Sequence, residues 1–154
     1  MNYLKYIQFI AFIISLAFGT VHHVPEEYST IQSGIIAAAD GDTVLVNQGF
    51  YCENVVINKS IVLASHAIYD NLENWLSIDG DSVINTNILN TIIDGGSDEC
   101  FQQHNNATEY GEWYDGFTRG SSIVVRKDPS IAECIAPTII GLTIQGGNGT
   151  RVNK

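Results

Sequence analysis

Basic residues are scarce in this 154-residue chain: seven Lys and Arg stand against 17 Asp and Glu, a formal net charge of −10. No run of Lys or Arg supplies the positive field that a phosphate backbone requires, which argues against nucleic acid as a partner. Proline is nearly missing, at three residues, and the 45% apolar and 16% charged content fits neither collagen, nor a coiled coil, nor a disordered tail. No Gly-rich phosphate loop follows a strand and opens a helix, and there is no G-x-S-x-G. The four histidines, His22, His23, His66 and His104, are scattered. Adjacent His22 and His23 do not face one site as ligands at i, i+4 would, which argues against zinc. A chain of this length buries one modest core.

Long apolar runs are also few. The one near the start lies within MNYLKYIQFIAFIISLAFG (1–19), where one cation, Lys5, precedes an apolar stretch of about a dozen residues that ends in small residues, the grammar of a signal peptide. That stretch contains Gln8 and Ser15, and a bilayer-spanning helix needs roughly 20 apolar residues. Export with cleavage after Gly19 is therefore expected, giving a secreted or cell-surface protein without a transmembrane anchor in the mature chain, residues 20–154. The alternative for the same segment is an uncleaved N-terminal anchor. An acidic mature surface suits solubility and Ca²⁺, and repels anionic polymers.

Three cysteines, Cys52, Cys100 and Cys134, allow one internal bridge at most. A Cys100–Cys134 bridge would staple the polar segment between them at its base, with Cys52 left as a buried free thiol. Spacing alone does not fix the connectivity.

Past the leader, YSTIQSGIIAAADGD predicts a short helix over 30–39. Ser29 and Gln32 offer an S-x-x-Q capping box, and Ile31, Ile35, Ala38 and Ala39 form one apolar face. Gly41 is placed to end it. A helix this short needs an apolar surface to lie on. Short β-branched runs follow, TVLV (43–46), NVVI (54–57), SIVLA (60–64), TIID (91–94), SIVV (122–125) and TIIGLTI (138–144), each bounded by Gly, Asn, Asp or Ser. One short strand and one kind of corner recur, with too few residues between strands for crossover helices, the pattern of a coil that winds on itself. Two stretches interrupt it. SHAIYDNLENWLSI (65–78) has Ile68, Leu72, Trp75 and Leu76 at the spacing of a short amphipathic helix, and the segment 97–120 is long, polar and aromatic.

The segment 24–65, VPEEYSTIQSGIIAAADGDTVLVNQGFYCENVVINKSIVLAS, carries Y-x-T-I-Q-x-x-I-x-x-A, then D-G-D-T-V-x-V-x-x-G-x-Y-x-E-N-V-x-I, then K-S-I-x-L. On these motifs it resembles the entry segment of right-handed parallel β-helix proteins of the pectin-lyase-like superfamily, pectinesterases included. The segment 87–150 resembles their later coils more loosely. The resemblance implies an all-β, right-handed parallel β-helix (solenoid) with a short N-terminal capping α-helix. The chain stops just after a corner where that family begins another coil, so the expectation is the N-terminal coils of a longer protein.

Pectin methylesterases carry their catalytic groups on later coils, including a G-x-x-D-F-x-F-G element that this sequence lacks, so no catalytic residue is transferred. Lyases of this fold use a Lys or Arg base beside Ca²⁺-binding carboxylates. Arg126-Lys127-Asp128 is the one candidate here, and a solvated coil edge explains it as well. Asp79, Asp81, Asp94 and Asp98 stand in Gly/Asp turns that are weak candidates for Ca²⁺, with no other cofactor indicated. Tyr110, Trp113 and Tyr114 are candidate sugar-contact aromatics, whose alternative is packing of the loop onto the coil. Asn58-Lys59-Ser60, Asn106-Ala107-Thr108 and Asn148-Gly149-Thr150 match the N-glycosylation sequon. The reading expected from these features is an exported, non-catalytic segment that binds polysaccharide or cell-surface components. The competing reading is the start of a polysaccharide lyase or carbohydrate esterase whose catalytic coils lie beyond Lys154.

Overall fold

A computed structural model describes residues 19–77, 80–96, 100, 121–130 and 132–147. Residues 1–18, which hold nearly all of the expected leader, lie outside them. The described residues form nine strands: β1 (Val21–Val24), β2 (Thr43–Val46), β3 (Gly49–Cys52), β4 (Val55–Ile57), β5 (Val62–Ser65), β6 (Thr91–Asp94), β7 (Ile123–Val125), β8 (Thr138–Ile140) and β9 (Thr143–Gln145). They are joined by helix α1 (Ile31–Ala37), helix α2 (Thr86–Leu89) and two 3₁₀ turns, His66–Tyr69 and Leu72–Asn74.

Consecutive strands do not form hairpins. One sheet has the order β1-β2-β5-β8, a second β3-β6-β9, and a third pairs β4 with β7. Every one of these pairings is parallel. From β2 onward the chain visits the three sheets in turn and returns to each beside the strand it left there, while β1 lies beside β2 in the first sheet. The described residues are therefore strand-rich, with parallel sheets and few helices, the coarse pattern of an all-β parallel solenoid.

Register places like residues in columns. Val44 aligns with Leu63 and then Ile139 in the first sheet. Tyr51 aligns with Ile93 and Ile144 in the second, and Ile57 with Val125 in the third. The β-branched monotony of the sequence follows from this, since each inward side chain must pack on its own counterpart one rung away. Val44, Val46, Val55, Ile57, Leu63 and Ile93 are fully buried in one cluster, and α1 closes it from one end with Ile31, Ile35 and Ala38. Gly34 lets the helix come close: a Cβ there would lie 3.1 Å from side-chain carbons of both Val24 and Val44.

Several sequence expectations need correction. Helix α1 is capped by Thr30 and Ser33, one residue later than the expected Ser29–Gln32 box. The Gln32 side chain instead takes the place of a neighbouring strand, its Oε1 accepting from Val56 N–H at 2.8 Å and its Nε2 donating to Val56 C=O. Ala39 is exposed. The expected amphipathic helix over 65–78 is two 3₁₀ turns, with Leu72 and Leu76 exposed. Asn71 interrupts it: extended, it caps the second turn by accepting from Glu73 N–H. The run 138–144 is two strands, because Gly141 adopts φ +64° and turns the chain into the next sheet.

The cysteine pairing also differs. Cys52 is joined to Cys100, with Cα atoms 5.3 Å apart, and Cys134 is exposed and unpaired. Topology explains the choice. Cys52 stands beside Asp94 in the β3–β6 register, so the chain leaving β6 passes close to Cys52, whereas Cys134 precedes β8 in a different sheet.

The packing yields a paired test on adjacent helix positions. Ile35 is fully buried and Ile36 is 69% exposed. Ile35→Ala is expected to cost roughly 2–5 kcal/mol and Ile36→Ala no more than about 0.5 kcal/mol in urea unfolding. Equal costs would contradict the assignment of the capping face.

Candidate functional site

Charged side chains gather at the junction of α1 with the first rung. Residues 53 to 60 run from the corner before β4 to the one before β5, passing beneath the whole helix. Glu53 receives its N-terminus: Oε1 accepts from Ile31 N–H at 2.9 Å and Oε2 from Gln32 N–H at 3.0 Å. Lys59 receives its C-terminus, Nζ donating to the carbonyls of Ile35, Ile36 and Ala38 at 3.0, 2.8 and 2.6 Å. Each ion sits at the helix end whose partial charge it complements and satisfies backbone groups that a short helix leaves unpaired.

A second cluster ties β1 to this junction. His22 Nε2 lies 3.0 Å from Asp42 Oδ2, and its Nδ1 lies 3.3 Å from the Tyr28 hydroxyl. Asp42 also accepts from the backbone N–H groups of Ala39 at 2.8 Å and Thr20 at 2.7 Å. The Ala39 N–H, then the His22 ring and the Thr20 N–H, hold the Asp42 carboxyl at about 2, well below the ordinary carboxylate range. A His–Asp pair is the residue set of an acid–base relay. In this place it joins three pieces of backbone: the strand β1, the exit of α1 and the start of β2.

Nearby, a cleft of about 380 Å³ is lined by Asp40, Lys59, Ser60, Glu133 and Cys134, among others. Two of its ions serve the fold. Lys59 holds the helix carbonyls, and Asp40 Oδ1 accepts from Ser60 N–H at 2.8 Å.

Of the Ca²⁺ and aromatic candidates singled out from sequence, Asp81 and Asp94 are among the described residues. Asp79, Asp98, Tyr110, Trp113 and Tyr114 lie outside the described residues. Asp81 is exposed and Asp94 is 1% exposed. The Asp94 carboxylate accepts from the Gln145 side chain at 2.9 Å, its neighbour in register, and from Gly96 N–H at 2.9 Å. Among the described residues no group of three or more His, Cys, Asp and Glu side chains is placed to hold a metal ion. Arg126, Lys127 and Asp128 form an edge turn: Lys127 donates to the Ala132 carbonyl, and Asp128 accepts from Ser130 N–H and hydroxyl. Among the described residues no helix is long and apolar enough to cross a membrane.

No protein-family model, curated protein or solved structure matches this chain at a significant level. Its chemistry has to be read from the geometry above. Sequence reasoning missed the roles of Glu53 and Lys59, although both stand in the quoted motifs. Their partners are backbone atoms 21 to 24 residues away, and backbone partners leave no residue-type signal. The His22–Asp42 pair was missed because β1, VHHV, lacks an apolar alternation and Asp42 stands 20 residues away.

The Asp42 cluster sets a pH dependence. Because the folded carboxyl lies below its ordinary value, its contribution is present above the unfolded value near 3.8 and is lost as pH falls toward about 2. Asp42→Asn is expected to lower stability by about 1–3 kcal/mol at neutral pH, and the gap from wild type should close as pH drops from about 4 to about 2. A gap that stays constant across that range in parallel denaturation curves would refute the charged role of Asp42.

Proposed function

We propose that the chain is an exported, non-catalytic right-handed parallel β-helix of the pectin-lyase-like superfamily, a stiff scaffold that presents its outer faces to polysaccharide or cell-surface components. One observation carries the reading. The ions drawn together at the α1 junction, Glu53, Lys59, Asp40 and Asp42, bond backbone groups and lock the first rung. Such use of charge builds a rigid support, since a catalytic acid, base or nucleophile must keep a polar atom aimed at substrate. Parallel strands in columns support the β-helix part of the proposal, and the motif of 24–65 supports the superfamily part.

Binding on such a scaffold belongs to aromatic side chains flanked by amides and carboxylates. Tyr110, Trp113 and Tyr114 stand in a segment that begins close to Cys100, which the disulfide fixes to β3. The net charge of −10 favours a neutral glycan over an anionic one.

Affinity electrophoresis through gels containing neutral or acidic polysaccharide tests the proposal. The protein is expected to be retarded by a neutral polysaccharide, to lose most of that retardation in Trp113→Ala, and to release no product. Chain cleavage or ester release from an acidic polysaccharide would show an enzyme instead, and retardation by neither gel would refute binding.

A further inference from the structure

Asp42 is a buried anion whose partners are mostly neutral donors. Its oxygens accept from the N–H groups of Thr20 and Ala39 and meet the His22 ring, and among the described residues no Lys or Arg pairs with it. The bond from Thr20, 2.7 Å to Oδ1, is the shortest of the three. Thr20 is held from its other side as well. Its C=O accepts from Thr43 N–H at 2.8 Å, which carries the β1–β2 ladder one step toward the N-terminus. The Thr20 nitrogen is thereby fixed against the carboxylate, although the residue itself is exposed.

That nitrogen is the one that cleavage after Gly19 releases. A leader peptidase hydrolyses the Gly19–Thr20 bond with water: the hydroxyl goes to Gly19, which leaves as a carboxylate with the leader, and Thr20 keeps the nitrogen as an amine. At neutral pH the amine binds a proton and becomes an ammonium. A second acceptor lies beside it. A Cβ on Gly19 would fall 2.0 Å from the Gly41 carbonyl oxygen, so that oxygen borders the place Gly19 vacates.

We propose that leader removal completes the first rung: the new ammonium at Thr20 pairs with Asp42, supplies the cation that this carboxylate lacks, and locks β1 onto the corner before β2. The inference rests on the exported reading and is independent of polysaccharide binding. Processing turns a neutral donor into an ionised one, and bonds of that kind are roughly twice as strong. The Asp42 carboxyl titrates at about 2, so it stays anionic across the neutral range. The other ionisable groups around the amine are His22 on β1 with Tyr28 against it, and Asp40 and Lys59 at the exit of α1. Pairing raises the amine above its ordinary value of about 7.7–8.0, so the lock is complete below that value and is lost as pH rises through the folded one.

Amine labelling of the protein recovered from the medium of its own host tests it. The mass of the N-terminal peptide is read first and is expected to begin at Thr20. The Thr20 amine is then expected to react with an acylating reagent at pH 7 about tenfold more slowly in the folded chain than in guanidinium chloride. Asp42→Asn is expected to restore most of that rate. The pH profile of the wild-type rate, with its midpoint above the ordinary α-amine range, keeps the test decisive if Asp42→Asn fails to fold. A chain that begins anywhere but Thr20 would overturn this inference together with the expected cleavage. A Thr20 amine with an ordinary midpoint, or one that labels as fast folded as unfolded, would overturn the inference alone and leave export standing.

Discussion

The structure depends on covering the first rung of its parallel stack. Parallel strands bury their inward side chains against the rungs on either side, so the first rung has an apolar face with nothing beyond it. A helix covers that face here, yet at seven residues α1 is far too short to be stable in isolation. The first rung therefore holds the helix that covers it. Glu53 and Lys59, which stand at the corners on either side of β4, grip the two ends of α1 through five hydrogen bonds to backbone. Gln32 reaches from the helix back to β4. Neither part is complete without the other, and this reciprocity fixes the axial position from which every later rung is counted.

Corners carry the register outward from there. The Asn54 side chain donates to the carbonyls of Gly95 and Ser121 at 2.8 and 2.9 Å, tying the corner before β4 to chain one rung further on. Gly95 has to be glycine at that approach, since a Cβ would fall 2.5 Å from the Ser122 Cα. Two further contacts clamp the second sheet along one line: Cys52 is bonded to Cys100, and Asp94 accepts from Gln145. Polar groups at the corners thus do for the solenoid what hairpin turns do in an antiparallel sheet. They set which residue faces which, and the β-branched columns then supply most of the burial.

What the sequence made legible follows from which signals are local. Strands β2 and β6 coincide with TVLV and TIID because β-branched runs bounded by Gly, Asp and Asn are read within a few residues. The apolar face of α1 was legible at Ile31, Ile35 and Ala38 for the same reason. Strands β1 and β3 were not, since VHHV and GFYC owe their extended form to pairing with β2 and β6. The cap slipped from Ser29 to Thr30 because Gln32, which fits a capping box by spacing, has a better partner 24 residues away in Val56. Likewise the Cys52–Cys100 bond was hidden by a separation of 48 residues, which the pairing of β3 with β6 closes. Of the candidate site, Asp94 was legible as a Gly/Asp turn: its carboxylate accepts from Gly96 N–H two residues on, and the Gln145 side chain 51 residues away is the partner that no local signal shows.

The central claim is that helix and stack form one cooperative unit through the Glu53 and Lys59 contacts. Urea unfolding of Lys59→Met, followed at once by far-UV circular dichroism and by amide exchange at Leu63 and Ile93, tests it most directly. The account predicts a single transition at lower urea, with exchange in β5 and β6 accelerated together with the loss of α1, and a cost of about 1–3 kcal/mol for the charge-assisted bonds. Early melting of α1 alone, with Leu63 and Ile93 still protected as in the wild type, would contradict it.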